Sequence, residues 1–355
     1  MLNQTYGIIT NFAGMQWGGY AIDGIVATSA RFFFPSGITV DSVGNVYFAN
    51  TNYNTIEKVT ISTGIITRVA GTGMGFGYTG DNGPARAAYL FGPEGVTLDA
   101  TGNIYIADTR NNVIRKVTKS TGIITTVAGT TYRIALVGYS GDGGLATSAR
   151  LKAPSSIAFD SYGVMYIADS GNNVIRRVAP SGIISTVAGT GVIGFTANGG
   201  AATSARLSNP KGIAFDSLNN LYIADTLSNV IRKVTNTTGI ITIVAGTNRI
   251  RGSSGNNVLA TSAQLAAPIG LAVDSKNNLY FTDTPNCIIR KVTASTGIIT
   301  TVAGNGMVGY IGDGADATLA KLDYPNGVAI HSSTGNIYIT DTGNTVVRKV
   351  TSVPL

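Results

Sequence analysis

The sequence predicts an all-β protein, a six-bladed β-propeller whose blades are four-stranded antiparallel sheets. A segment close to Gly-Ile-Ile-Thr-Thr-Val-Ala-Gly recurs roughly every 55 to 60 residues, which marks an array of structural repeats. Between the copies lie three further short runs of β-branched and aromatic residues separated by turn residues, so each unit forms a meander of four strands. The six copies begin at Gly7, Gly64, Gly122, Gly182, Gly239 and Gly297.

Each unit presents its elements in the same order, as the second unit shows. A proline-containing lead-in precedes a strand at 95–99, and an Asp-Ala-Thr-Gly-Asn turn leads to the next strand at 103–108. A second turn and a Ser-Thr-Gly turn flank the third strand at 113–117, and the fourth strand lies at 123–128. This order places the blades at about 30–71, 88–129, 149–189, 205–246, 263–304, and 320–353 plus 6–14.

The two ends of the chain predict how the ring closes. The last unit stops after its third strand at 346–350, whereas the chain begins with a copy of the fourth strand at 7–14. We therefore expect the N-terminal strand to complete the last blade, which removes an exposed sheet edge. Residues 1–355 would then form a single propeller, either as a monomer or as one domain of a larger protein.

Composition narrows the classes of function. The net charge is +7, but charged residues make up only 12 % of the chain and form no dense basic run. Because Cys287 and His331 are the only residues of their kinds, a disulfide framework, a cysteine-based zinc site and a histidine cluster are excluded. We expect no metal and no cofactor. No apolar run approaches the roughly 20 residues of a membrane span, and the N-terminus lacks signal-peptide features; the compartment stays open.

The repeated pattern Pro-x-Gly-Ile-Ala-x-Asp-Ser-x-x-Asn-x-Tyr-Ile-Ala-Asp-Thr-x-Asn-Asn-Val-Ile-Arg-Lys-Val resembles the NHL repeat in six copies that cover essentially the whole chain. The Gly-Asp-Gly-Gly and Ala-Thr-Ser-Ala connections, as at 138–151, resemble those of bacterial and protist NHL arrays. The resemblance implies a sensor, an adhesion module, an RNA-binding platform or, in a peptidyl-hydroxyglycine lyase, a zinc enzyme. It therefore defines the fold better than the activity.

Strand order sorts the loops onto two faces. The turns between second and third strands and the long blade-to-blade connections share one face, named here the long-loop face. The turns between first and second strands and between third and fourth strands share the other, the short-turn face. We expect function on the long-loop face, because recognition residues tend to lie on loops held by a rigid scaffold.

Three recurrent positions on the long-loop face are candidates. The first is an Asp followed seven residues later by an Arg, and the two are expected to lie opposite each other across a tight hairpin as structural pairs. Unit one lacks both and has Asn50 and Glu57 instead. The pairs are Asp108 and Arg115, Asp169 and Arg176, Asp225 and Arg232, Asp283 and Arg290, and Asp341 and Arg348.

The second position is an Asp in the connections, at Asp81, Asp142 and Asp313 and in looser form at Asp23, with Asn198 and Asn256 in two units. Such residues could bind calcium, but one carboxylate per loop is few for that cation, and turn formation explains them as well. The third position pairs an aromatic with a basic residue. These residues are Tyr20, Tyr78, Tyr139, Phe195 and Tyr310, and Arg31, Arg150, Arg206 and Lys321.

The aromatic and basic residues leave two interpretations open. They could stack against and neutralise RNA or an acidic glycan. Alternatively, the rings cover the blade tops and the basic side chains extend over them. Since no nucleophile with a base, metal cluster or pair of carboxylates in a pocket is evident, we expect a non-enzymatic scaffold that binds a protein or peptide. An RNA- or acidic-glycan-binding propeller is the alternative, and a propeller lyase or hydrolase acting at the central channel is a third.

Overall fold

The computed structural model describes residues 7–19, 23–73, 75–130, 138–196, 198–247 and 249–351. It confirms the predicted fold class, because the strands form six antiparallel sheets packed side by side in a closed ring. We number the blades 1 to 6 in chain order and give each from its innermost to its outermost strand. Among the described residues, no helix is long and apolar enough to cross a membrane.

Blades 1 to 3 contain the first twelve main strands after the N-terminal one. Blade 1 comprises Pro35–Val40, Val46–Asn50, Thr55–Thr60 and Ile65–Ala70. Blade 2 comprises Gly95–Leu98, Ile104–Asp108, Val113–Val117 and Ile123–Ala128. Blade 3 comprises Pro154–Phe159, Met165–Asp169, Val174–Val178 and Ile184–Ala188.

Blades 4 to 6 repeat the arrangement. Blade 4 comprises Pro210–Phe215, Leu221–Asp225, Val230–Val234 and Ile240–Ala245. Blade 5 comprises Pro268–Val273, Leu279–Asp283, Ile288–Val292 and Ile298–Ala303. Blade 6 comprises Gly327–Ile330, Ile337–Asp341, Val346–Val350 and the N-terminal strand Ile8–Ala13.

The N-terminal strand closes the ring as predicted. It runs antiparallel to the third strand of blade 6, with Ile9 opposite Val350 and Thr10 opposite Lys349. Ile9 is fully buried and packs in the core between blades 5 and 6. The first and last parts of the chain therefore share one sheet.

The connections contain structure that the sequence did not predict. Each Ala-Thr-Ser-Ala segment forms a three-residue 3-10 helix, or its equivalent, whose first alanine is buried. In blades 2, 4, 5 and 6 the two residues before this helix add a short fifth strand to the outer edge of the sheet. These strands are Gly83–Pro84, Gly200–Ala201, Val258–Leu259 and Ala315–Asp316.

Hydrogen bonds from side chains join neighbouring blades near the long-loop face. In five of the six seams, the hydroxyl that follows the second strand donates to the carbonyl of the proline that opens the next blade, at 2.6–2.8 Å. The last of these bonds runs from Thr342 of blade 6 to Pro35 of blade 1 and so spans the closing seam. The second residue after the proline also lies against the next blade and is a glycine in five blades. A Cβ added at Gly37, Gly95, Gly212, Gly270 or Gly327 would lie 2.0–2.5 Å from a neighbouring backbone oxygen.

Candidate functional site

A fully buried arginine lies at the long-loop end of five blades, and the three recurrent positions meet there. In blade 2, Arg115 Nη1 lies 3.6 Å from Asp108 Oδ2, while Nη2 lies 2.7 Å from Asp81 Oδ1 in the long connection. The Tyr78 ring covers the guanidinium at 4.7 Å, and its hydroxyl donates to Asp81 Oδ2 at 2.6 Å. The paired Asp, the loop Asp and the aromatic residue therefore belong to one contact network.

The predicted geometry of the Asp–Arg hairpin was wrong in one respect. Asp108 pairs with Val113, and Arg115 lies opposite Ile106. The connecting turn holds four residues, Thr109 to Asn112, with a 3-10 turn and a left-handed residue at its end. The two charged residues are thus diagonal neighbours on one face of the sheet, which still brings their side chains together.

The other blades repeat this network with small differences. Asp169, Asp225, Asp283 and Asp341 lie 3.5–3.9 Å from Arg176, Arg232, Arg290 and Arg348. Asp142 and Asp313 supply the second carboxylate to Arg176 and Arg348, at 2.6 and 2.8 Å. The rings of Tyr139, Phe195 and Tyr310 lie over Arg176, Arg232 and Arg348, at 4.6–5.2 Å. This placement favours the interpretation that the rings cover the blade tops; Tyr20 lies outside the described residues.

The carboxylates of this network titrate differently according to their burial. Burial raises the pKa of Asp108 to about 7, even though hydrogen bonds from Asn111 and the Phe91 amide and the charge of Arg115 lower it. Burial also raises the pKa of the more exposed Asp81, but hydrogen bonds from Tyr78 and Thr126 and the charge of Arg115 hold it below its ordinary value. Asp81 is therefore a charged anchor for Arg115.

Blade 1 builds the same position without an arginine. Asn50 Oδ1 accepts the Phe33 amide at 2.9 Å, as Asp108 accepts the Phe91 amide at 2.8 Å. Glu57 occupies the arginine position, is 3 % exposed and accepts a hydrogen bond from Thr55 at 2.7 Å. Burial raises the pKa of Glu57 to about 7.

The loop Asp residues are engaged in bonds that explain their presence. Asp81, Asp142 and Asp313 bind the buried arginines, and Asp142 Oδ2 also accepts the Thr186 amide at 3.1 Å. In blades 4 and 5, Asn198 and Asn256 accept the equivalent amides of Ile243 and Thr301 at 2.8 Å. Within the described ranges, no group of three His, Cys, Asp or Glu side chains is arranged to hold a metal ion.

The four basic candidates lie at the surface of the long-loop face. Arg31, Arg150 and Arg206 are exposed, and Lys321 is half-buried. The stems of Arg206 and Lys321 pass over glycines of their own connections, so close that a Cβ at Gly194 or Gly309 would lie 3.2 Å from them. The glycines thus leave room for these stems.

Exposed apolar side chains on the long-loop face are the feature that sequence reasoning missed. They occur three to five residues after the glycine that ends the outermost strand, in five of the six connections, and each side chain is 51–76 % exposed. The sixth connection includes residues outside the described ranges. The sequence does contain a signal for them, because each is a large apolar residue within a segment that is otherwise rich in glycine and polar residues. They are Trp17, Phe76, Val192, Ile193, Ile250, Met307 and Val308.

A central channel of about 690 Å³ opens on the same face, lined by the innermost strands. Its wall combines aliphatic side chains with polar groups, and its mouth carries the residue that follows each opening proline. Glu94 and Lys211 form an ion pair there at 2.7 Å. The residue at this position differs in chemical type from blade to blade, and this variation is visible in the sequence. The six residues are Ser36, Glu94, Ser155, Lys211, Ile269 and Asn326.

His331 and Cys287 lie apart from each other and from the channel. His331 is buried in a turn on the short-turn face, where Nδ1 lies 2.9 Å from Thr334 Oγ1 and Nε2 lies 3.3 Å from Ser42 O. Cys287 takes the left-handed position that Asn112 takes in blade 2, and it is 1 % exposed. Burial raises the pKa of its thiol.

Comparisons with known proteins agree with this architecture. The model of the teneurin NHL domain matches residues 72–137, 137–197 and 194–257, just over half of the chain, and the NHL repeat model matches residues 322–348. The chain belongs to the NHL-repeat family. The predicted resemblance is thereby confirmed.

Several curated relatives match most of the chain. Protein SUPPRESSOR OF QUENCHING 1 of Arabidopsis thaliana is 27 % identical over 89 % of the chain, mouse teneurin-4 is 27 % identical over 91 %, and bovine NHL repeat-containing protein 2 is 26 % identical over 89 %. The chain spans only 30 %, 12 % and 46 % of the lengths of these three proteins.

Solved structures share the propeller at low sequence identity. A Bacteroides thetaiotaomicron protein of unknown function superposes with a TM-score of 0.70 at 17 % identity, with 97 % of this chain and 75 % of that chain covered. A streptogramin B lyase superposes with a TM-score of 0.58 at 14 % identity, with 98 % of each chain covered. At these identities the likeness shows the fold alone, so it does not transfer the lyase activity.

Proposed function

We propose that this NHL propeller is a non-enzymatic binding module that recognises a protein or peptide partner through its long-loop face. The observation that carries the proposal is the set of exposed apolar side chains in five connections, from Trp17 to Val308. These side chains are mostly in water and contribute little to the core, although the Phe76 ring stacks on Phe91 at 4.6 Å. Exposed apolar patches of this kind mark interaction surfaces in soluble proteins.

The surroundings of these side chains favour a protein partner. Trp, Phe and Met are residue types enriched at protein interfaces, and arginines lie between them on the same face. The loops are tied to the blades, since Asn111 donates to Gly77 O at 2.7 Å and Thr345 donates to Met15 O at 3.1 Å. A pre-ordered surface loses little conformational entropy on binding.

The short-turn face offers an internal comparison. It also exposes Val43, Tyr162 and Leu218, each 70–80 % exposed, but each is the single large apolar side chain of its turn. On the long-loop face, three more exposed side chains lie beside the channel mouth, in addition to the apolar side chains of the connections. They are Phe33, Phe34 and Tyr324. The connections of the long-loop face therefore carry a recurrent set of exposed apolar side chains, whereas those of the short turns, including Ile61 and Ile183, occur one to a turn.

Panning a phage-displayed random peptide library on the purified protein tests the proposal. Selected peptides should bind the unchanged protein and lose binding to the combined variant Trp17→Ser, Phe76→Ser and Met307→Ser. The matched control is Val43→Ser, Tyr162→Ser and Leu218→Ser on the short-turn face, which should bind as the unchanged protein does. Failure to select any peptide, or equal binding to both variants, would contradict the proposal, provided that circular dichroism shows both variants folded.

A further inference from the structure

Charged side chains are unevenly distributed over the long-loop face. Between residues 143 and 273 the sequence contains only four carboxylates, Asp160, Asp169, Asp216 and Asp225, and no Glu. Asp169 and Asp225 are fully buried beside arginines, and Asp160 and Asp216 accept main-chain amides inside turns of the short-turn face. No carboxylate of this segment is therefore exposed on the long-loop face among the described residues. Asp142, directly before it, is 40 % exposed but is paired with the buried Arg176.

Five exposed cations lie on that part of the face: Arg150, Lys152, Arg206, Arg249 and Arg251. Among the described residues none of them forms a salt bridge, whereas Asp23 pairs with Arg86, Glu94 with Lys211 and Asp313 with Arg348 elsewhere on the face. The change from Asp to Asn at Asn198 and Asn256 removes two further negative charges from this side of the ring. The result is a local excess of positive charge.

Four aliphatic side chains lie among these cations. Val192, Ile193, Leu227 and Ile250 are 51–58 % exposed. The Arg249 amide donates to Ser228 O at 3.2 Å, which fixes the 249–251 segment beside Leu227. The stem of Arg206 passes over Gly194, next to Ile193. We name these five cations and four aliphatic residues the basic-aliphatic sector; it spans the neighbouring blades 3 to 5.

We infer that the basic-aliphatic sector receives an acidic amphipathic segment of a partner protein. This inference rests on the proposed function and names the chemistry of the partner. Carboxylates on such a segment complement the five cations, and its apolar side chains cover the four aliphatic residues.

The observations favour a polypeptide over single-stranded RNA as the occupant. RNA without a folded structure is held by aromatic side chains that stack on its bases. The four exposed apolar side chains of the sector are aliphatic. The nearby Tyr139 ring is 42 % exposed, but one side of it lies against Arg176, and the Phe195 ring lies against Arg232.

Fluorescence anisotropy with defined probes tests the inference. The probes are a labelled peptide rich in Leu and Glu, the same peptide with Lys in place of Glu, and a single-stranded RNA oligomer, each at low and physiological salt. The Leu-Glu peptide should bind, and its affinity should fall as salt rises. It should bind about tenfold or more weakly to Arg206→Glu with Arg251→Glu, because an attraction becomes a repulsion, and more weakly to Ile193→Ser with Ile250→Ser.

The matched control reverses two exposed lysines on the short-turn face, Lys119→Glu with Lys276→Glu, and should leave binding unchanged. If Arg206→Glu disturbs folding, Arg150→Glu with Arg249→Glu replaces it. Binding of the RNA but not of the Leu-Glu peptide would overturn the inference in favour of a nucleic acid. A second outcome is that the Leu-Glu peptide binds the sector variants as tightly as the unchanged protein, while library-selected peptides still lose binding when Trp17 and Phe76 are replaced. That outcome would overturn the inference but support the proposed function. Absence of both kinds of binding would overturn both.

Discussion

The buried arginines show how single residues tie the loops to the blades. A guanidinium inside a protein is stable only with charged and hydrogen-bonding partners. Arg115 has Asp108 from its own sheet and Asp81 from the connection, and the Tyr78 ring covers it. These contacts with Arg115 thus hold the long connection in one position, in which its apolar side chains remain exposed.

Replacing Asp81 with Asn should destabilise the protein by about 1–3 kcal/mol, because a charged hydrogen bond to a buried arginine is weakened. Since the folded-state pKa of Asp81 lies below its unfolded value, its contribution is present above the unfolded pKa and is lost as the pH falls through the folded one. Urea unfolding at pH 7 and at pH 3 measures this. An equal loss at both values would show that Asp81 does not act through its charge.

Glu57 provides a test of opposite sign. Its folded-state pKa of about 7 exceeds its ordinary value of 4.5, so its stabilising contribution is complete below the ordinary pKa and is lost as the pH rises through 7. Glu57→Gln should therefore raise the free energy of unfolding at pH 8 by a few kcal/mol and change it little at pH 4. Denaturant titrations at pH 4 and pH 8 measure this difference. An increase of the same size in the free energy of unfolding at pH 4 would refute this explanation.

At the scale of the elements, the innermost strands pack so closely that they leave no room for a side chain at certain positions. A Cβ at Gly212 would lie 2.0 Å from Ile269 O in the next blade. Thr226 reinforces the same seam by donating to Pro268 O at 2.8 Å. These contacts set the spacing between blades 4 and 5 and hence the width of the channel.

Gly212→Ala should destabilise the protein by about 1–3 kcal/mol, since two backbones must separate to admit the methyl group. Gly144→Ala is a suitable control, because its Cβ would lie 3.3 Å from Gly141 O and its φ is not positive. Thermal unfolding of both variants compares them. A Gly212 variant as stable as the Gly144 variant would mean that the seam adjusts freely.

The strands and the order of the blades could be predicted because the six repeats align with only small differences in loop length and their period is that of a four-stranded meander. The meeting of Tyr78, Asp81 and Arg115 could not, since Arg115 lies 34 residues beyond Asp81 along the chain and three local patterns gave no sign of a shared contact. The hairpin register was also missed, because the 3-10 turn after Asp108 adds residues that a tight turn lacks. Exposure of Trp17 or Ile250 depends on loop conformation, which one sequence does not define.

At the scale of the whole molecule, stability depends on the closed ring. The strand Ile8–Ala13 pairs with Val346–Val350, and Ile9 fills the core between blades 5 and 6. Without it, blade 6 would expose an unpaired edge and an open core.

Deleting residues 1–14 should therefore give a protein that aggregates or no longer unfolds cooperatively. A circular permutant with new ends between residues 14 and 15, in which residues 1–14 follow residue 355, is the control and should fold. Size-exclusion chromatography and denaturant titration compare the two. A soluble truncation as stable as the permutant would refute the role of the closing strand.

The central claim is that the long-loop face is the binding surface, and hydrogen–deuterium exchange in the presence of a library-selected peptide tests it most directly. We predict slower exchange in the connections, at 190–196, 249–252 and 305–309, and no change in the short turns at 161–163 and 217–219. Protection confined to those short turns, or to the innermost strands that line the channel, would contradict the account.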